Sequence, residues 1–529
     1  MRAALQNTST GRSNRTWVLL LLFLVQFLVT FRPATMAWDG VFYYSATRSA
    51  VCDGDLRLGN DLRLSYAARP DPFFEAQHYE QVLTPTGRVA SPYAIGTSVL
   101  WLPWFVPLAL AVRFAVGDTA LTCFEWPLVW TMATVTCVYG WLAALIGYRL
   151  ARRFAGEWAA LLAGATAMFT TPLWYYQFRE PFYAHAASAL TTALFVVAWW
   201  RAAERRDARP ITAILLGIVG GLAALVRWQN AAYLVLPLLT VGVDVWAATR
   251  QRDRRAMLRG VLRGVLVGGG ALLVLTVQFA VWSVFYGRAL TIPQGNTFMD
   301  WRAPWVQHVL FSAFNGLLPW MPVTLPALVG LMRLGRRAPR LGIPLLVAFA
   351  LQVFINGCAV QWYGGGGYGP RRFSSTLAIL VVGYAAFLDW RSVRWYRALG
   401  LGVSALLVLH QLLLLRYGFA ERIGGHAAPT TLTYDDEWHA DPLPQFAQQM
   451  AGYLPQAARQ PLQTLIQPES PLSTSASPAA RQVLLLAGVL SVVGLVQMGW
   501  RRWRPHPGVL LVVAVALIAA ADWWIVTQG

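Results

Sequence analysis

Lysine is missing from this chain: all 43 basic residues are arginine. That excludes Schiff-base chemistry through a side-chain amine, and it excludes the lysine of a phosphate-binding P-loop. Charge of either sign is scarce, at 13% of residues, about half of what soluble globular proteins carry. The four cysteines, Cys52, Cys123, Cys137 and Cys358, show no metal-ligand spacing. Cys52 and Cys123 fall where both could face an oxidising compartment, which leaves a disulfide between them open. There is no HExxH, no GxSxG and no internal repeat, and neither a metal nor an organic cofactor is expected.

What remains is apolar. Hydrophobic residues make up 57% of the chain, the mean hydropathy is +0.46, and many apolar runs are long enough to cross about 30 Å of hydrocarbon. The reading is an all-α polytopic membrane protein. The formal charge of +19 raises nucleic acid as a partner, but the arginines stand in short clusters between the apolar runs. Topology explains such clusters better, so the expected surroundings are a lipid bilayer and no nucleic acid.

Arg2, Arg12 and Arg15 precede the first span, 17–35, which reads as a retained anchor with a cytoplasmic N-terminus. The apolar run 93–116 then decides the topology. If it crosses, the clusters at Arg149/Arg152/Arg153, Arg201/Arg205/Arg206/Arg209, Arg250/Arg252/Arg254/Arg255, Arg333/Arg336/Arg337/Arg340, Arg391/Arg394/Arg397 and Arg501/Arg502/Arg504 all face outward; if it does not, they all face inward. Pro103 and Pro107 are also expected to break a helix there. The run is therefore expected to be a juxtamembrane or re-entrant element on the outer side. About thirteen spans follow from the twenty-residue rule, the others at 127–149, 157–176, 181–202, 210–228, 231–248, 258–285, 307–331, 342–361, 373–390, 396–416, 481–499 and 508–526. In domain terms, 1–416 is the membrane module with the outer loop 36–126, 417–480 is an outer loop, and 481–529 is a C-terminal hairpin ending outside. The outer segments are then 36–126, 177–181, 228–231, 286–306, 362–372 and 417–480.

Chemistry must be built from those loops. Asp39 follows the first span among Trp38, Tyr43 and Tyr44, where partial desolvation suits a general base. The same aspartate also fits an N-cap on an amphipathic helix over 41–51, and the rings fit an interfacial belt. Glu180 lies in the tight second outer turn with Arg179 and His185; either the group is used or Glu180 pairs locally with Arg179. The stretch from Gln361 to Arg372 holds four consecutive glycines, Trp362, Tyr363, Tyr368 and the pair Arg371-Arg372. Close-approach backbone and two guanidiniums suit a phosphate; a flexible hairpin with headgroup anchors is the plainer reading. Arg371, Arg372, Arg227 and Arg302 lie on the outer side, against the positive-inside trend. His78, Glu75 and Glu80 read as solvated, and His410 as a satisfied histidine inside a span.

Together, Asp39-Gly40-Val41-Phe42-Tyr43-Tyr44, the segment Ser91-Pro92-Tyr93-Ala94-Ile95-Gly96, Glu180 and Tyr368-Gly369-Pro370-Arg371 resemble the GT-C superfamily of polytopic glycosyltransferases. Its members include protein O-mannosyltransferases, aminoarabinose transferases acting on lipid A, and bacterial proteins with an RgtA-like glycosyltransferase domain. The resemblance implies about thirteen spans, juxtamembrane helices in the first large loop, and an essential acid in that loop, here Asp39, often joined by a second, here Glu180. It implies a sugar donor on polyprenyl phosphate, not a sugar nucleotide. Donor phosphate would meet Arg371, Arg372 and Arg227, and sugar or acceptor would meet Tyr43, Tyr44, His185, Trp362 and Tyr368. The acceptor would be an envelope glycolipid, polysaccharide or protein. The chain departs from some members: glycine follows Asp39 where a second acid can stand, Asp53-Gly54-Asp55 lies further on, and arginine must replace a donor-site lysine.

The implied activity is transfer of a hexosyl or pentosyl group with inversion, Asp39 acting as base, on the periplasmic side of a bacterial inner membrane. The rival is a polytopic transporter or flippase of lipid-linked or polar substrates, which more often shows paired repeats and acids near the midplane; Asp244 and Asp389 instead sit near span ends. A polymer ligase is disfavoured because 417–480 has only Arg422 and Arg459, and a non-catalytic assembly protein is the remaining class.

Overall fold

The computed structural model describes residues 15–31, 36, 38–68, 83–89, 91–116, 122–205, 209–302, 304–312, 315–365 and 367–417. The expected outer loop 417–480 and hairpin 481–529 lie outside these, apart from residue 417. The described residues are helical, with no strand beyond two isolated bridges, and the all-α class expected from composition holds. Eight of these helices are long and apolar enough to cross a membrane, and Thr16–Thr30 and Pro210–Val226 are shorter apolar ones. A count of thirteen spans is not confirmed by these residues.

In chain order the helices are α1 Thr16–Thr30, α2 Asp39–Arg48, α3 Leu58–Ala68, α4 Gly96–Val116, α5 Trp126–Ala151, α6 Glu157–Thr170, α7 Leu173–Phe178, α8 His185–Arg205, α9 Pro210–Val226, α10 Val235–Arg250 and α11 Arg254–Tyr286. There follow α12 Val306–Phe311, α13 Leu317–Trp320, α14 Thr324–Arg337, α15 Pro339–Cys358, α16 Leu377–Leu388 and α17 Arg394–Tyr417. A π turn, Ser49–Asp53, extends α2, and 3₁₀ turns at Trp228–Leu234 and Arg371–Thr376 lead into α10 and α16.

Helix α16 is the centre: it packs on α5, α6 and α14, and all its residues but Phe387 are buried. Small residues let neighbours come close, as where Gly217 and Gly221 of α9 meet the backbone of α11 at Val267 and Ala271.

Several boundaries differ from the expected spans. The run 157–176 is divided into α6 and α7 at Thr171-Pro172, and 307–331 into α12, α13 and α14. Pro172, and Gly316 with Pro319 and Pro322, supply the breaks. Pro103 and Pro107, by contrast, do not break α4, which runs through both. They lie one turn apart on its exposed face, opposite the buried stripe Trp101, Phe105 and Ala109. Nor is the helix after Asp39 amphipathic: Gly40 to Arg48 are all buried. A disulfide joins Cys52 to Cys123. Beside it Tyr44 donates to the Cys123 carbonyl at 2.7 Å and Arg48 Nε to the Thr122 carbonyl at 2.7 Å. Helix α2 is thereby fastened to the chain leading into α5.

Candidate functional site

Five separate stretches bring ionisable groups to one end of the bundle. Asp39 is the first residue of α2, and the chain reaches it through Trp38 at φ 45°. A bulky residue held there costs about 1–3 kcal/mol, a strain that accumulates at functional sites. The carboxylate does not cap its helix. Oδ1 accepts from the Tyr93 hydroxyl at 2.8 Å, and Oδ2 faces Arg371 Nη1 at 3.4 Å across 332 residues of sequence. Both side chains of that pair are 15% exposed, so the pair is sheltered yet open to a ligand.

Gly40 makes the next contact possible. A Cβ there would stand 2.8 Å from the Cβ of Phe182, so only glycine lets α2 rest on the turn between α7 and α8. That turn carries Glu180, which accepts from Tyr175 at 3.0 Å. Loss of solvent pushes the Glu180 carboxyl above the usual glutamate value. Burial, reinforced by the Asp39 charge, also raises the Tyr43 and Tyr93 phenols, keeping Tyr93 a hydrogen-bond donor to Asp39.

The guanidiniums come from elsewhere. Arg371 opens the 3₁₀ turn before α16; its Nε donates to the Gly364 carbonyl at 2.8 Å, and its guanidinium lies 5.4 Å from the Tyr183 ring and 5.9 Å from the Tyr176 ring. Arg227, just after α9, places Nη1 2.8 Å from His185 Nδ1 at the start of α8. Arg372 lies near Arg227 and Arg371, over the Phe298 ring at 5.8 Å, and its carbonyl accepts from Gln229. Asn315 donates to the Tyr363 and Gly367 carbonyls and so shapes the glycine loop.

Asp39, Tyr43, Glu180, His185, Arg227, Arg371 and Arg372 thus form one half-buried cluster. Three other candidates have different surroundings. Tyr44 is fully buried with its hydroxyl on the Cys123 carbonyl. Tyr368 stacks on Tyr175 at 4.7 Å and its hydroxyl accepts from Gln411. Trp362 lies against His308 and Tyr363. Sequence reasoning did not single out Tyr93, Tyr176 or Tyr183 as site residues, although Tyr93 stood inside a quoted motif and the other two flank Glu180. Elsewhere, Arg302 follows α11 at an exposed position, and the His410 ring meets the Pro319 carbonyl at 2.7 Å. His78, Glu75 and Glu80 lie outside the described residues. Among the described residues no group of three or more His, Cys, Asp or Glu side chains is placed to hold a metal ion. Chemically, the cluster offers a carboxylate held by a phenol and a guanidinium, a second desolvated carboxyl, and cations in excess of anions.

No family model and no curated protein matches the sequence. Among solved structures the chain is similar to ArnT from Cupriavidus metallidurans bound to undecaprenyl phosphate, with 15% identity, 96% of this chain and 76% of that one covered, and a TM-score of 0.47. The apo state of the same protein gives 14% identity, 97% and 74% coverage, and 0.47. The archaeal oligosaccharyltransferase AglB from Archaeoglobus fulgidus, in complex with an inhibitory peptide and a dolichol-phosphate, gives 13% identity and a TM-score of 0.43, and the match spans 91% of this chain but 58% of that one. At such identities and scores the chemistry has to be read from this chain's own side chains.

Proposed function

We propose that the chain is a membrane glycosyltransferase that moves a sugar from a polyprenyl-phosphate donor to an acceptor hydroxyl. The observation that carries this reading is the imbalance of the cluster: Arg227, Arg371 and Arg372 come together in a half-buried place where, among the described residues, Asp39 and Glu180 are the carboxylates that offset them. Uncompensated guanidiniums in a poorly solvated place are costly unless an anion joins them, and arginine forks match phosphate oxygens. The cluster lies at the ends of apolar helices, and α4, whose start packs beside Arg227, exposes Trp104, Leu110 and Phe114. A ligand with a phosphate head and an apolar tail suits both surfaces.

In this reading the acceptor hydroxyl attacks the anomeric carbon while the bond from that carbon to the phosphate oxygen breaks. The hydroxyl proton passes to Asp39, the lipid phosphate leaves with one more negative charge, and the arginines stabilise that charge as it grows. Attack from the face opposite the leaving phosphate inverts the anomeric centre. Tyr93 orients the Asp39 carboxylate, and Glu180, its carboxyl raised by desolvation, hydrogen-bonds a sugar hydroxyl in this reading.

The test is transfer from a panel of undecaprenyl-phosphate sugars by purified protein, wild type against Asp39→Asn. A loss of about 10²–10⁴-fold in the variant, with thermal unfolding unchanged, is expected. Equal transfer by both proteins refutes Asp39 as the base; active transport of the lipid-linked sugar in liposomes without transfer refutes the enzyme.

A further inference from the structure

The two turns that carry the arginines are set against one stripe of α8. His185, Ser188 and Thr192 are buried on one face of that helix, at helical spacing. The 3₁₀ turn after Arg227 meets the stripe through Asn230, whose Nδ2 donates to the Ser188 hydroxyl at 2.8 Å and to the Ala223 carbonyl at 2.9 Å. The 3₁₀ turn that begins at Arg371 meets it through the Ser375 carbonyl, which accepts from the Thr192 hydroxyl at 2.8 Å. These bonds fix backbone. His185 makes the contact that reaches a guanidinium: Arg227 Nη1 lies 2.8 Å from its Nδ1 and 3.4 Å from its Nε2. The ring also meets the Arg371 backbone carbonyl.

Those neighbours dictate the state of the ring. A guanidinium only donates, so the nearer nitrogen, Nδ1, accepts; a backbone carbonyl only accepts, so the other nitrogen carries the proton. Neutral imidazole supplies one of each. The consequence for Arg227 is electrostatic. Arg371 is held by the Asp39 carboxylate at 3.4 Å, which offsets its charge. Arg227 is held by a neutral acceptor, which fixes the planar fork and leaves its charge whole. The ring itself is 1% exposed, with the Tyr176 ring at 4.2 Å and the Tyr183 ring at 6.0 Å, so its contacts are with protein. We infer that His185 is a positioning residue: it aims the Arg227 guanidinium at the donor phosphate without neutralising it, and does not itself touch the sugar. The phosphate at Arg227 rests on the transferase reading; the coupling of Arg227 to His185 does not.

The experiment is undecaprenyl phosphate binding to the full chain in phosphatidylcholine nanodiscs, with sugar transfer measured alongside. His185→Phe keeps a ring between Tyr176 and Tyr183 and removes both nitrogens. His185→Asn gives up the ring and keeps one acceptor and one N–H donor. Loss of a hydrogen bond to a charged group predicts about 10–100-fold weaker binding by the phenylalanine variant. The asparagine variant should recover most of that, to within about fivefold of wild type. In an Arg227→Gln background, His185→Phe should change the affinity by less than about twofold, because the ring then has no guanidinium to aim. Wild-type affinity in His185→Phe, or an asparagine variant as weak as the phenylalanine one, overturns the inference. So does a loss that persists undiminished in the Arg227→Gln background, which shows that the histidine acts on the ligand directly or through the fold at large. No binding to wild type removes the phosphate from Arg227 and overturns it as well. A wild type that shows the coupling yet transfers no sugar refutes the transferase and leaves His185 as the positioner of Arg227; Asp39-dependent transfer with no coupling between His185 and Arg227 does the reverse.

Discussion

Arg371 and Arg372 are adjacent in sequence, yet their surroundings predict opposite effects on stability. Replacing Arg371 with glutamine removes the cation 3.4 Å from Asp39, the 2.8 Å bond to the Gly364 carbonyl, and the packing over Tyr176 and Tyr183. Among the described residues the Tyr93 hydroxyl is then the remaining hydrogen-bond partner of Asp39, with Arg227 and Arg372 attracting it from further off. Breaking a buried ion pair by removing one partner costs about 3–5 kcal/mol. With both side chains 15% exposed, about 2–4 kcal/mol is the expected loss here. Arg372 differs. Arg227 and Arg371 repel its guanidinium more than Asp39 attracts it, and the Phe298 ring at 5.8 Å returns little. Its bond with Gln229 uses the backbone carbonyl and survives substitution. Arg372→Gln should therefore change stability by no more than about 1 kcal/mol in either direction.

Transfer should fall in both variants, by about 10²–10³-fold each, the usual effect of removing one donor from a developing anion. The assay pairs sugar-transfer rates with denaturant unfolding of each variant in detergent, with and without undecaprenyl phosphate. Bound lipid phosphate should raise the unfolding midpoint of the wild type and raise it much less in Arg372→Gln. An Arg372→Gln protein as unstable as Arg371→Gln would show that the excess of positive charge is not real. One that is stable and transfers sugar within tenfold of wild type would show that the excess is not there for a phosphate.

The other expectations concern the frame around the site. Cys52→Ser with Cys123→Ser opens a loop of 71 residues, and loop entropy puts the loss at about 4 kcal/mol; unfolding under non-reducing conditions checks it, and an unchanged midpoint refutes it. Gly96→Ala would set a Cβ 2.4 Å from the backbone of Leu225 and Val226, directly before Arg227. It should cost about 1–3 kcal/mol and lower transfer, because α4 cannot back away without moving the arginine; full activity at wild-type stability argues against that contact. Asp61 shares Arg48 with Asp53, and its Oδ2 has no partner among the described residues. Burial pushes its carboxyl from 3.8 up to about 6. A raised carboxyl pKa means that its contribution is complete below pH ~4 and is lost as pH rises through ~6, a change of about 3 kcal/mol. The Asp61→Asn protein should lack that component, so the stability difference between variant and wild type should shift by this amount between pH 4 and 7.

The parts of the site that sequence disclosed are those in which charge conflicts with an apolar setting. Asp39, Glu180, Arg227, Arg371 and Arg372 stand out because a membrane chain with 13% charged residues has few reasons to place ions at span ends. The positive-inside argument adds a spatial statement: it assigns 36–126, 177–181, 228–231 and 362–372 to one side, and groups at or next to these segments meet in the cluster. Phenols carry no such signal. Tyr93, Tyr176 and Tyr183 are three of 19 tyrosines, and what distinguishes them is a contact made across long stretches of chain, such as the sequence separation of 54 from Asp39 to Tyr93. Helix continuity was hidden for a related reason. Pro103 and Pro107 read as breaks locally, but their spacing of one turn puts both on the face that nothing packs against, so α4 continues. Pro172 lies inside the expected continuous span 157–176 and yet separates two helices, the second of which leads to Glu180, held there by the Tyr175 hydroxyl. A proline's local chemistry is the same in both places, and the packing of the opposite face decides which outcome follows.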